Sequence, residues 1–103
     1  MEIVKGNSKN FESEVINSKI PVLVDFNATW CGPCKMLGPV LEEISSENDN
    51  FKIVSIDVDE EEDLAREYSV FSIPCLVLIK DGKEANRTVG FMAKEDILTF
   101  IGE

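Results

Sequence analysis

The chain has 103 residues, with 20 Asp plus Glu against 10 Lys plus Arg, no histidine, three cysteines and a formal net charge of -10. One domain is expected at this length, and 44% hydrophobic with 29% charged residues is the composition of a folded globular chain. Without histidine there is no Ser-His-Asp or Cys-His catalysis, no His-ligated zinc and no imidazole switch. The acid excess argues against duplex nucleic acid and anionic membrane as partners. The first twenty residues interleave charges and amides with single apolar residues, so no signal-peptide core is expected, and no run approaches the ~20 apolar residues of a membrane span. The expected location is cytoplasmic. In that reducing setting the three cysteines are read as catalytic, metal-binding or plain core residues, not as a disulfide framework.

After a short apolar start at Ile3 and Val4, Asn7 or Ser8 is placed to cap a helix with Phe11, Val15 and Ile16 on one face. Pro21 breaks it. Val22 to Phe26 is apolar apart from Asp25, the signature of a central strand covered on both faces. A tight turn through Trp30 to Cys34 leads into a helix with Met36, Leu37, Val40, Leu41 and Ile44 at near-helical spacing, in which Pro39 is expected to produce a kink. Asn48 to Asn50 end it. Phe51 to Asp57 alternates as a second strand, with Phe51, Ile53, Ser55 and Asp57 on one face and Lys52, Val54, Ile56 and Val58 on the other. Asp59 with Glu62 has the form of a capping box for a short helix through Tyr68. Ile73 to Ile79 is another apolar strand, turned by Asp81-Gly82 into a returning strand over Glu84 to Val89. Lys94 to Ile101 closes the chain as a helix with Ile97, Leu98 and Ile101 inward. Alternation up to residue 70 implies parallel pairing, and the hairpin adds antiparallel strands on one side. The expected fold class is α/β, a central mixed sheet with helices on both faces, in a single domain over residues 1–103.

The chemistry is concentrated in Cys31-Gly32-Pro33-Cys34 at the strand-to-helix junction. Two thiols at this spacing on a helix start are able to form a disulfide, with the first expected to be exposed and the second covered. Free N–H groups and the positive end of the helix dipole favour a thiolate at the first position, with Lys35 adding positive potential.

The segment Phe26-Asn27-Ala28-Thr29-Trp30-Cys31-Gly32-Pro33-Cys34-Lys35, with Asp25 before it, Pro39 after it, Ile73-Pro74 downstream and Gly90 near the end, resembles the thioredoxin family along essentially the whole chain. The resemblance implies the thioredoxin fold and a thiol–disulfide oxidoreductase, an electron carrier without a cofactor of its own. In that mechanism Cys31 attacks a protein disulfide and Cys34 resolves the mixed disulfide with Asp25 assisting proton transfer, which leaves a Cys31–Cys34 bond. It implies a cis bond at Pro74 facing the dithiol and a substrate-contacting rim of Trp30, Gly32, Pro33, Ile73, Pro74, Gly90 and Phe91. The implied partners are disulfide-containing client proteins and a flavoprotein thioredoxin reductase. A monomer is expected, since no dimerisation stripe is evident.

Three positions depart from the common family pattern. Asn27 replaces an aromatic residue, so looser or wetter packing is expected above the active-site helix. Ser55 replaces a lysine near Asp25, which removes a cation and raises the aspartate further. Cys75 replaces a threonine and is expected to bring a third sulfur to the edge of the dithiol, either as a small core residue or as an alternative thiol. Two other functions compete with the oxidoreductase: a metal or iron–sulfur module on Cys31, Cys34 and Cys75, and a redox-inert binding subunit. Eleven of the twenty acids fall between Glu42 and Glu67, and are read as a solvated surface away from the thiols.

Overall fold

The two apolar runs of the sequence become adjacent strands at the centre of a sheet. In the computed structural model, which describes residues 1–102, these are β2 (Val22–Asn27) and β4 (Cys75–Lys80). With β1 (Val4–Lys5), β3 (Lys52–Asp57) and β5 (Lys83–Val89) they form a five-stranded sheet ordered β1-β3-β2-β4-β5. The β1–β3 and β3–β2 pairs are parallel, and β2–β4 and β4–β5 antiparallel. The antiparallel side is turned by Asp81 and Gly82, both at positive φ (52° and 78°), as a two-residue hairpin turn requires.

Strand alternation divides the core into two layers. Val22, Val24, Phe26, Val54, Ile56, Val77 and Ile79 pack on one side with Phe11 and Val15 of the N-terminal segment and with Leu64 of α2 (Glu62–Glu67). Leu23, Ile53, Leu76 and Leu78 pack on the other with Leu37, Leu41 and Ile44 of α1 (Gly32–Glu47) and with Ile97 and Ile101 of α3 (Lys94–Ile101). Each such side chain contributes about 1.5–3 kcal/mol relative to exposure. That burial, more than intrinsic helix propensity, holds a helix as short as α2 in place. Among the described residues no helix is long and apolar enough to cross a membrane.

Three local expectations are corrected. The N-terminal helix is a π-helical turn at Glu12–Ile16, because Asn17 N–H reaches back to Glu12 O. Asn7 caps the turn that leads into it, as expected, its Oδ1 accepting from Lys9 and Asn10 N–H and its O from Phe11 N–H. Asp59 does not cap α2, which has no side-chain cap. The loop before it is closed by Asp57 Oδ1, which accepts from Asp59 N–H at 2.8 Å. The fourth strand begins at Cys75 and not Ile73, since the Ile73–Pro74 peptide is cis and leaves the strand path. Helix α1 runs from Gly32 to Glu47 without interruption at Pro39.

Gly6 follows β1 and donates to Ser55 O at 2.8 Å. A Cβ there would stand 2.6 Å from Val54 Cγ1 and 2.7 Å from Ile56 Cδ1, both fully buried, whereas a Cβ on Gly38 of α1 would meet nothing within 4 Å. Gly6→Ala is therefore expected to destabilise the protein by about 1–3 kcal/mol through overpacking. Gly38→Ala is expected to stabilise it by about 0.5–1 kcal/mol. Urea midpoints of the two variants against the parent check both signs.

Candidate active site

The site begins where β2 runs out. Asn27 is the last strand residue and Cys31 the N-cap of α1, with φ −90° and ψ 115°. Cys31 N–H donates to Ala28 O at 3.3 Å, and Pro33 occupies the first helical turn, where its lack of an N–H costs nothing. The turn of helix brings Cys34 back over Cys31. The two form a disulfide with Cα atoms 5.2 Å apart, and Cys34 N–H donates to Cys31 Sγ at 3.2 Å. A free helix-start donor is thus aimed at the first sulfur. Lys35 is exposed beside the pair, its N–H donating to Cys31 O. The expectation of an exposed first cysteine is corrected for this oxidised pair, Cys31 being 5% exposed, while Cys34 is covered as expected at 9%. Both are enclosed with Ala28 under Val58 and Ile73.

Asp25 lies on the α1 side of β2 and is 7% exposed. Loss of hydration pushes its carboxyl from the usual 3.8 up to about 6, opposed by the hydrogen bond from Asn27 and not by a cation. Two of the three departures from the family pattern meet here. Parallel pairing sets Ser55 opposite Asp25, and Asn27 follows two residues later on the same face. The Asn27 amide nitrogen donates to Ser55 Oγ at 2.8 Å, Asp25 O at 3.0 Å and Asp25 Oδ2 at 3.2 Å. Asp25 Oδ1 is buried with no hydrogen-bond partner among the described residues. Asp25, Asn27 and Ser55 line, with Cys34, Lys35 and Pro39, a cleft of about 710 Å³.

Around the dithiol the named rim residues differ in exposure. Trp30 is 68% exposed, Gly32 and Pro33 are exposed, Ile73 is half-buried and Pro74 buried. Pro74 O accepts from Gly90 N–H at 2.8 Å, which ties the end of the hairpin to this loop. Gly90 sits at φ 100°, where a side chain would be strained, with open space at its Cβ position. Phe91 is partly exposed.

One contact and one exposed side chain escaped the sequence. Trp30 Nε1 donates to Asp59 Oδ2 at 2.7 Å, so the acid-rich segment reaches the active-site tryptophan instead of lying wholly apart from it. Phe71, in the loop before Ile73, is 91% exposed. No periodicity marked either one. Cys75, expected at the edge of the dithiol, shares strand parity with Val77 and Ile79 and packs with them as a buried free cysteine, 1% exposed, in a layer that shares Val58 and Ile73 with the dithiol cluster. Burial pushes its thiol up from the ordinary value, which disfavours the thiolate. Among the described residues no three Cys, Asp or Glu side chains converge as a metal-ligand group.

The thioredoxin family model matches residues 2–103. The chain is 47% identical to the thioredoxin of Bacillus subtilis over 104 residues, covering 100% of this chain and 98% of that one. It is 44% identical over 103 residues to the thioredoxin of Haemophilus influenzae, covering 99% and 96%. It is also 49% identical over 96 residues to a bifunctional thioredoxin reductase/thioredoxin of Mycobacterium leprae, covering 92% of this chain and 21% of that protein. With a Cys-Gly-Pro-Cys pair closed as a disulfide at the start of α1 in a mixed five-stranded α/β fold, and full-length likeness of this order, the chain belongs to the thioredoxin family.

Proposed function

We propose that this chain, as a single thioredoxin domain over residues 1–103, is a general protein-disulfide reductant. The observation that carries this reading is the Cys31–Cys34 disulfide at a helix start, beside a cleft that Cys34 shares with a buried carboxylate. In the reduced pair Cys31 is the attacking thiolate, its charge facing the Cys34 N–H and the positive end of α1. It attacks one sulfur of a client disulfide; the Cys31–client bond forms, the client's own S–S bond breaks, and the other client sulfur leaves as thiolate. Cys34 then passes its proton to Asp25 and attacks Cys31 Sγ. The Cys31–Cys34 bond forms, the mixed disulfide breaks, and the second client thiolate leaves and takes a proton from solvent. Two electrons have moved from the dithiol to the client.

Asp25 suits the proton step because of where burial puts it. At about 6 its carboxyl is still mostly ionised at neutral pH, yet far closer to a thiol than an ordinary aspartate is, so accepting the proton is less uphill. Trp30, Gly32, Pro33, Ile73, Pro74 and Gly90 form the client-contacting rim, and Lys35 adds positive potential beside it. Backbone groups near Ile73 are placed to pair with an extended client segment. A thioredoxin reductase is the expected source of electrons, a reading supported by the relative in which the two activities share one chain. A reducing cytoplasm is the compartment in which such a dithiol works. The partners are proteins, with neither nucleic acid nor membrane among them.

Cys31→Ser is expected to abolish reduction of an insulin disulfide. Cys34→Ser is expected to accumulate the mixed disulfide, visible as a client-sized mass increment on non-reducing analysis. If the double Cys31→Ser, Cys34→Ser variant keeps full biological activity, the chain is a binding subunit instead.

Asp25→Asn is expected to slow the second step by about 10²-fold at pH 7 and to remove its inflection near pH 6, measured by single-turnover kinetics.

The same group makes a stability prediction. Because its folded value lies above the unfolded one, its contribution is fully present below about pH 4 and is lost as pH rises through 6, a difference of about 3 kcal/mol. Asp25→Asn is therefore expected to be more stable than the parent at pH 8 and to lose that advantage near pH 4, as read by denaturant midpoints.

A further inference from the structure

The Asn27 amide has two N–H groups and three acceptors within 3.2 Å: Ser55 Oγ, Asp25 O and Asp25 Oδ2. The shortest contact, 2.8 Å to Ser55 Oγ, fixes one N–H. The other is left to the Asp25 backbone oxygen and Oδ2, both on the residue two positions earlier in the same strand. The two carboxylate oxygens of Asp25 are consequently unlike: Oδ2 already accepts a hydrogen, while Oδ1 is buried and accepts none among the described residues, in a residue that lines the same cleft as Cys34.

That difference governs where a proton is able to go. A proton added to Oδ2 would turn the oxygen that accepts from the Asn27 N–H into a hydroxyl, a weaker acceptor, and so weaken that bond. A proton added to Oδ1 leaves Oδ2 as the carbonyl-like oxygen, which still accepts from Asn27, so the amide network survives both charge states of the carboxyl. We propose that Asn27, anchored by Ser55, is a positioning residue for the second step: it occupies Oδ2 of Asp25 and thereby assigns Oδ1 as the atom that takes the Cys34 proton. The balance is that of the step above, with the S–H bond of Cys34 broken and an O–H bond at Oδ1 formed before sulfur attacks sulfur.

The charged surroundings are the same in every variant that tests this. From α1, Cys34, Lys35 and Glu42 line the cleft; from β4, Cys75 interacts with Asp25 through space; from β3, Ser55 is uncharged and Asp57 pairs in register with Asn27. None of these is altered by changing Asn27 or Ser55 to a neutral residue.

The inference rests on Asp25 as the base of the second step, and two readouts keep the two ideas apart. The first is the Asp25 carboxyl midpoint, followed by ¹³C NMR in the reduced protein. Asn27→Ala is expected to raise it by about one pH unit, because a donor to the charged form is removed. Ser55→Ala is expected to raise it less, and Ser55→Thr, which keeps the hydroxyl, to leave it in place. The second readout is the pH profile of mixed-disulfide resolution. Its inflection is expected to move upward with the carboxyl midpoint, so that Asn27→Ala resolves about fivefold more slowly near pH 6 and regains the parental rate above pH 9. An unmoved carboxyl midpoint in Asn27→Ala overturns the inference, as does a loss of rate that is uniform with pH. If Asn27→Ala does not fold, the Ser55→Ala and Ser55→Thr pair decides on the same two readouts. Asp25→Asn separates the underlying reading: an inflection that persists in it overturns the role of Asp25, and this inference with it. An inflection that vanishes there, yet stays fixed in Asn27→Ala, overturns the inference alone.

Discussion

Strand β2 is paired on both sides and covered on both faces, and it carries one carboxylate into that environment. Both core layers are built on this strand. Its Val22, Val24 and Phe26 set the layer filled by the N-terminal segment and α2, and Leu23 begins the layer closed by α1 and α3. Its end releases the chain at Asn27 and starts α1 at Cys31. The carboxylate costs stability near neutral pH, and the chain retains it at the one point of the layer where a cleft and a side-chain amide replace apolar packing.

The dithiol and the carboxylate are served by different parts of the same junction. The sulfurs receive a backbone donor because the helix begins there, a consequence of capping geometry that needs no particular side chain beyond the cysteines. The carboxylate has no such donor and depends on side chains from two strands. This division leaves the setting of the sulfurs tolerant of sequence change and that of the carboxylate adjustable, and the adjustment in this chain is the Asn27 and Ser55 pair.

Much of this was legible in the residues. Alternation in Phe51 to Asp57 assigned both faces of β3, the Asp81-Gly82 turn fixed the hairpin, and the Cys31 to Cys34 spacing marked the redox pair. Asp25 stood out as a lone charge in an apolar run. What the sequence hid were contacts between distant segments. Asn27 and Ser55 were each visible as departures, but their bond depends on the β2–β3 register, which single-strand patterning does not supply. Asp59 reads equally well as a helix cap or a loop acid, and the choice was made by an indole N–H coming from another loop. Cys75 could have been placed correctly by parity with Val77 and Ile79; its nearness in sequence to Pro74 outweighed that signal.

The polar cluster on β2 also bears on how the chain finds its pairing. Asp25 and Ser55 are direct partners across two otherwise apolar central strands, and neighbouring apolar residues such as Val24 and Val54 are interchangeable in size. A slip of one residue would turn Asp25 toward Phe11, Val15 and Leu64, on a face that offers a carboxylate nothing but hydrocarbon. The residue that weakens the correctly folded sheet therefore penalises the misaligned one far more, and the group read here as a proton acceptor doubles as an alignment mark for the two strands at the heart of the molecule.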